Sequence, residues 1–232
     1  MTSFLFPPAA PPSIAIVGDD RRFPVSRLFC VGRNYADHAK EMGAEVDREA
    51  PFFFLKQAQA IVADSAALPY APGTANFHHE VEFVVAIGAE ARAVAVENAM
   101  EAVFGYAVGL DMTRRDLQFA ARDKGRPWDF GKNFEASAPI SAIVPKAAFG
   151  EIGDRAIALS IDGTVRQRSH LGEMVWSVPE LIAHLSRYYT LRPGDLLFTG
   201  TPAGVGPVVA GNRLTATIDG LPTLEVTVVA AA

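Results

Sequence analysis

The chain is poor in cysteine: Cys30 is the single thiol in 232 residues. A lone thiol excludes an internal disulfide and fits a reducing compartment. It lies in the apolar run Leu28-Phe29-Cys30-Val31, where a thiol acts as a small buried hydrophobe rather than a nucleophile. Runs of Lys or Arg are missing too, and the net charge is −5. Both features argue against nucleic acid or an anionic membrane as a partner. No apolar stretch reaches the ~18 residues of a membrane span. The start, Met1-Thr2-Ser3-Phe4-Leu5-Phe6, lacks the basic and long apolar regions of a secretory signal. The expectation is a cytoplasmic protein. Repeats, low-complexity tracts and an internal linker are also lacking.

What is present is a large apolar content, 50% of residues against 20% charged, enough for one sizeable core. Apolar runs of strand length recur between turn residues. Strands are expected at 14–17 and 23–31 around the turn Gly18 to Arg21, and at Pro51 to Lys56, with a short one near Ile61. Others are expected at Gly105 to Leu110, Pro139 to Val144 and Leu196 to Thr199. Asp162-Gly163 marks a hairpin between Ala156–Ile161 and Thr164–Arg168, and Asp219-Gly220 marks a terminal one. Helices are fewer. One is expected at 97–104, another opens at Thr113 in capping-box style, and a third runs from the capping box Ser177-Val178-Pro179-Glu180 to about Tyr189. The glycine- and charge-rich stretch 122–137 is long for a connection, which marks it as functional. The alternation of strands and helices is too irregular for a doubly wound sheet. The pattern describes an α+β domain dominated by a curled or sandwiched sheet.

One strand carries an anomaly. In Asn76-Phe77-His78-His79-Glu80-Val81-Glu82-Phe83-Val84-Val85-Ala86-Ile87-Gly88, residues two apart share a face. Glu80 and Glu82 therefore project together, while Val81, Phe83, Val85 and Ile87 face the other way. Two neighbouring carboxylates repel, and burying either is costly unless it is paired or bound to a cation. Oxygen ligands suit a hard cation such as Mg²⁺, Ca²⁺ or Mn²⁺. A solvated strand end is the alternative. Asp111, at the end of another apolar strand, raises the same question. Between Asn34, which can cap, and Gly43, which can stop, a short helix places His38 and Glu41 on one face. A carboxylate beside a histidine orients the ring and fixes its tautomer, as a general base needs; an ordinary exposed His–Glu pair is the alternative. Residues 43–50, small and charged, suggest that this helix belongs to a mobile segment.

Five motifs occur in order: Gly32-Arg33-Asn34-Tyr35 with His38 and Glu41; His79-Glu80-Val81-Glu82; Gly109-Leu110-Asp111 through Gln118; Trp128-Asp129-Phe130-Gly131-Lys132-Asn133-Phe134; and Pro193-Gly194-Asp195 through Gly200-Thr201-Pro202-Ala203-Gly204-Val205-Gly206-Pro207. Together they resemble the fumarylacetoacetate hydrolase family, in its acylpyruvase and fumarylpyruvate hydrolase-like branch, from about Leu28 to the C-terminus. The resemblance implies a mixed β-sandwich roll with a few short helices. Residues 28–232 would form the catalytic domain, with 1–27 a short segment packed on it. It implies Glu80, Glu82 and Asp111 as ligands of Mg²⁺ or Mn²⁺, with Ca²⁺ a non-native occupant. His38 and Glu41 would activate water from a lid helix, and Lys132 would stabilise developing negative charge. Arg33, Gln118 and Thr201 would contact substrate. The implied enzyme is a homodimeric hydrolase that cleaves the carbon–carbon bond of a 2,4-diketo acid, an acylpyruvate, to pyruvate and a carboxylic acid. Decarboxylation of oxaloacetate or tautomerisation of a 2-oxo acid is the alternative at the same metal; a non-catalytic metal-stabilised domain is a third. Two departures stand out. Members often read Phe-Leu-Lys-Pro where this chain has Phe54-Leu55-Lys56-Gln57, and small residues often flank the lysine that here sits between Gly131 and Asn133.

Overall fold

A six-stranded sheet forms the centre of the protein. The computed structural model describes residues 3–43, 48–62 and 67–231. Across the sheet the order is Val144–Pro145, Val103–Leu110, Val81–Ile87, Leu196–Phe198, Arg27–Gly32 and Phe52–Gln57. Neighbours are antiparallel except Leu196–Phe198 and Arg27–Gly32, which are parallel. A five-stranded sheet packs against it, in the order Thr164–His170, Ala156–Ile161, Arg213–Ile218, Leu224–Val229 and Ala67–Pro69. The fold is α+β, with mixed sheets and few helices.

Alternation explains how the sheets pack. Along Val81–Ile87, Val81, Phe83, Val85 and Ile87 enter one core with Leu159, Leu214 and Val226 of the second sheet. Val84 and Ala86 enter a second core on the opposite face, with Cys30, Phe198, Ile14 and Phe23. Ile14 and Phe23 come from the hairpin Ser13–Ile16/Asp19–Pro24, which covers that face. Cys30 is fully buried, and burial pushes its thiol well above the usual range. The two expected hairpins are present, the first with a bulge at Leu159/Ser160.

Several elements differ from the sequence reading. The strand of two glutamates is broken at Glu80: Phe77–His79 belongs to a separate three-stranded sheet, and Val81–Ile87 to the central one. The stretch 23–31 is likewise two strands, Asp19–Pro24 and Arg27–Gly32, and 97–104 is a 3₁₀ helix, Val96–Ala102, running into a strand. Pro139 to Val144 is reduced to two short pairings at Ala138–Pro139 and Val144–Pro145. The long stretch 122–137 contains the helical turn Asp129–Lys132. Thr113 does not cap the following helix, Arg115–Arg122; it pairs with His78, and its hydroxyl bonds Asp111 O. Asn34 does not cap the helix Ala36–Glu41 either, because its side chain is used elsewhere. The capping box at Ser177 is present, with Glu180 accepting from the Ser177 N–H (2.8 Å) and hydroxyl (2.6 Å), and its helix ends at Ser186. The mobile segment expected at 43–50 falls largely on 44–47, outside the described residues. Among the described residues no helix is long and apolar enough to cross a membrane.

Candidate active site and metal centre

The break at Glu80 builds the site. Asp111 N–H donates to Glu80 O at 2.8 Å, so the end of one central strand is tied to the interruption beside the next. Glu80, Glu82 and Asp111, all buried, each offer an oxygen within 4.8 Å of the others. The shared direction read for the two glutamates survives the strand break, since Glu82 stays on the face away from Phe83 and Val85.

Three buried cations surround this trio. Lys132 Nζ donates to Glu80 Oε2 (2.7 Å), Asp111 Oδ2 (2.6 Å) and Thr113 Oγ1 (2.7 Å). Arg115 pairs with Glu80 Oε1, and Lys56 Nζ stands 2.9 Å from Asp111 Oδ1. That Lys56–Asp111 approach is an ion pair without hydrogen-bond alignment, and Asp111 Oδ1 has no hydrogen-bond partner. Burial by itself would raise the Glu80 carboxyl, but the Lys132 and Arg115 charges outweigh it and hold Glu80 far below its usual range. Burial would likewise lower Lys132, and Asp111 and Glu80 raise it instead. Among the described residues Glu82 has no ion-pair partner and accepts one bond, from Gly200 N–H at 2.8 Å. Burial first, then the charges of Asp111 and Glu80, push its carboxyl well above the usual range.

A divalent cation fits these residues. The trio is all oxygen, Asp111 keeps an oxygen without a hydrogen bond, and Glu82 is left with like charges for neighbours. From the sequence, a metal is expected as the neutraliser of bare carboxylates. With all three ionised, however, Lys56, Lys132 and Arg115 already balance them. A bound dication would therefore leave the centre positive, suited to an anionic substrate.

Above the trio, the pocket is lined by Arg33, His38, Gln118, Lys132 and Thr201, and holds a cavity of about 40 Å³. His38 Nδ1 and Glu41 Oε2 are 3.2 Å apart, so the spacing of these two did place them together. Glu41 is outside the lining; its carboxylate also accepts from Gly204 N–H at 3.1 Å, which joins the helix to the Gly200–Pro207 loop. Gln118 Oε1 accepts from Arg115 at 2.5 Å, leaving its amide N–H groups for the pocket. Gly131 allows the Asp129–Lys132 turn to approach, since a Cβ there would sit 2.8 Å from the Gln118 backbone. Gly200 has φ +94, and a Cβ would come 2.7 Å from Asn34 Cβ; only glycine can aim this N–H at Glu82.

Sequence reasoning missed Lys56, Arg115 and Gln167. Lys56 had a signal: a charge closing the apolar strand Phe52–Gln57. Gln167 had none. It accepts from Val81 N–H (3.1 Å), contacts His79 Nδ1 (2.9 Å) and donates to Thr201 Oγ1 (2.8 Å), so it fixes the hydroxyl from behind. The two departures in sequence pattern meet each other, because Gln57 N–H donates to Asn133 Oδ1 at 2.8 Å. A proline at 57 would have no donor for it.

The fumarylacetoacetate (FAA) hydrolase C-terminal family matches residues 27–229. A fumarylpyruvate hydrolase of Ralstonia sp is 47% identical over 189 residues, covering 81% of this chain and 98% of that protein. An oxaloacetate tautomerase of Escherichia coli (strain K12) is 41% identical over 199 residues, covering 85% and 90%. The crystal structure of fumarylpyruvate hydrolase from Pseudomonas aeruginosa in complex with Mn²⁺ and pyruvate superposes with a TM-score of 0.96 at 52% identity, covering 98% of this chain and 100% of that one.

Proposed function

The chain belongs to the fumarylacetoacetate hydrolase family, and from that premise we propose that it hydrolyses the carbon–carbon bond of a 2,4-diketo acid of the fumarylpyruvate type. The products are pyruvate and a carboxylic acid. The observation that carries the reading is the meeting, in one pocket, of the carboxylate trio with a histidine bonded to a carboxylate. The relatives that bear fumarylpyruvate hydrolase names support the choice of substrate.

Glu80, Glu82 and Asp111 would hold Mg²⁺ or Mn²⁺. When bound, the cation supplies Lewis-acid charge to the substrate oxygens. His38 gives its Nδ1 to Glu41, which leaves Nε2 to take a proton from water. That water attacks the distal keto carbon. The bond to the neighbouring methylene carbon breaks, and its electron pair stays on the carbon that becomes the methyl of pyruvate, where it takes up a proton. Gln118 presents N–H donors to the developing oxyanion, a type of interaction whose loss costs ~3–4 kcal/mol elsewhere. All three protons of Lys132 are already committed to Glu80, Asp111 and Thr113. It therefore acts through its charge unless substrate displaces a carboxylate. Thr201, held by Gln167, binds the carboxylate at the pyruvate end of the substrate, and Arg33 contacts the substrate from the pocket wall. The catalytic unit is 28–232, working as a homodimer in the cytoplasm.

The tautomerase relative favours a second reading, interconversion of oxaloacetate tautomers at the same centre, which needs no hydrolytic water. A substrate panel separates the two. Loss of the diketo-acid enol absorbance and release of pyruvate are followed with Mg²⁺ and with EDTA, alongside oxaloacetate. Metal-dependent pyruvate release from fumarylpyruvate is expected. Oxaloacetate interconversion without pyruvate release from any 2,4-diketo acid would overturn the hydrolase reading.

A further inference from the structure

The pocket above the carboxylates continues into a second cavity of about 390 Å³, with which it shares Arg33, Phe54, Arg122, Trp128 and Lys132. One wall is aromatic. The Trp128 ring lies 5.0 Å from Phe52, edge-on, and 5.9 Å from Phe54. Such a wall suits a flat, unsaturated chain laid against it. The charged part of the lining is mostly basic, in a protein whose net charge is −5. Arg33, Arg122 and Arg126 line the cavity, with Asp129 as the opposing acid among the described residues.

These arginines are not equivalent. Arg122 is engaged: it pairs with Asp123 at 3.0 Å and lies 4.4 Å over the Phe119 ring. The side chains of Arg33 and Arg126 have no hydrogen-bond or acidic partner among the described residues. Both sit on backbone that is held in place. Arg33 has φ 61, a left-handed conformation that strains a non-glycine residue. Its neighbour Asn34 anchors it by donating to Thr199 O (2.8 Å) and Trp176 O (3.0 Å) and accepting from Trp176 N–H (2.7 Å). Arg126 closes the turn after the Arg115–Arg122 helix, its N–H donating to Ala121 O at 2.9 Å. Gly125, at φ 61, reverses the chain before it, and Pro127 keeps it extended. Two unpaired guanidinium groups, carried on backbone that is held in place beside an aromatic wall, are a receptor for a carboxylate on a planar tail.

We propose that this cavity is an acyl-tail subsite in which Arg126, with Arg33, reads a carboxylate at the far end of the substrate. The enzyme then selects 2,4-diketo acids whose acyl group is short, unsaturated and itself acidic. The inference rests on the hydrolase reading above, and it adds the residues that choose between acyl groups.

The test is the ratio of kcat/KM for fumarylpyruvate to that for acetylpyruvate, measured with Mg²⁺ on the parent and on Arg126→Met and Arg126→Lys. Loss of one charge-assisted hydrogen bond should lower the ratio about ten- to a hundredfold in Arg126→Met, with much of it restored in Arg126→Lys. Product inhibition gives a second readout. Inhibition by fumarate should weaken in Arg126→Met, whereas inhibition by crotonate, which has a methyl group in place of the distal carboxylate, should not. An unchanged ratio, or an equal fall for both substrates, would overturn the subsite while leaving the hydrolase intact. A parent enzyme that releases pyruvate from neither compound would overturn the hydrolase reading, and the subsite with it.

Discussion

Lys56→Met tests the charge balance of the centre. Met keeps most of the aliphatic stem and removes the ammonium. That ammonium is fully buried, stands 2.9 Å from Asp111 Oδ1, and donates to Met112 O (3.1 Å) and Lys132 O. Removing one partner of a buried ion pair costs ~3–5 kcal/mol, since the other charge stays behind. Lys132 O keeps a donor in Ser137 Oγ at 3.3 Å, whereas Met112 O loses its Lys56 donor, which adds to the cost. Taking ~4 kcal/mol and ~2–4 °C per kcal/mol for a chain of this length, Tm in EDTA should fall by roughly 8–16 °C. Among the described residues the variant's three carboxylates keep Lys132 and Arg115 as ion-pair partners, so a dication should now bind more favourably and stabilise the variant more than the parent. Thermal unfolding followed by circular dichroism, with EDTA and with saturating Mg²⁺, reads both effects. A variant that melts with the parent in EDTA would refute the ion-pair argument. An equal Mg²⁺ stabilisation of both would refute the charge balance.

Glu82→Gln should abolish metal-dependent turnover yet melt in EDTA at or above the parent, because the carboxylate it removes has like-charged neighbours and no ion-pair partner among the described residues; turnover that survives EDTA would refute the ligand assignment. His38→Gln should cut kcat by ~10²–10⁴ with little change in Tm, since the ring's hydrogen bond among the described residues is the one to Glu41; a large loss of Tm with kcat retained would make His38 structural. Glu180→Ala should cost ~1 kcal/mol at neutral pH in urea unfolding. Hydrogen bonding from Ser177 lowers the Glu180 carboxyl, so its contribution is full above the ordinary value of 4.5 and fades as pH falls through the lowered one. A stability difference that does not shrink in acid would contradict the capping role.

The carboxylate trio was legible because charge on apolar strands is conspicuous, and the His38–Glu41 pair because helix geometry fixes neighbours three residues apart. The hairpins followed from Asp-Gly turns in the same local way. What stayed hidden depends on long-range packing. Residues 76–88 read as one continuous strand, and only the pairing of Phe77–His79 with Thr113–Arg114 and Gly206–Pro207 shows the break at Glu80. Asn34 has the composition of a cap, but Thr199 and Trp176 compete for its side chain. Thr113 fails as a cap because His78 takes it into a sheet. Gln167 reaches Thr201 from a distant hairpin, and no local pattern announces that.

The placement of Leu196–Phe198 between Val81–Ile87 and Arg27–Gly32 has a consequence for biosynthesis. All three proposed metal ligands are synthesised by residue 111, but the strand that fills the middle of their sheet arrives late, and Gly200, which holds Glu82, arrives just after it. Until then a growing chain presents two half-sheets with open edges, the state most prone to pair with the wrong neighbour. The last strand of the central sheet to be made is also the one that completes the centre. A chain not yet made through Gly200 therefore lacks the central strand and the N–H that hold Glu82 in place.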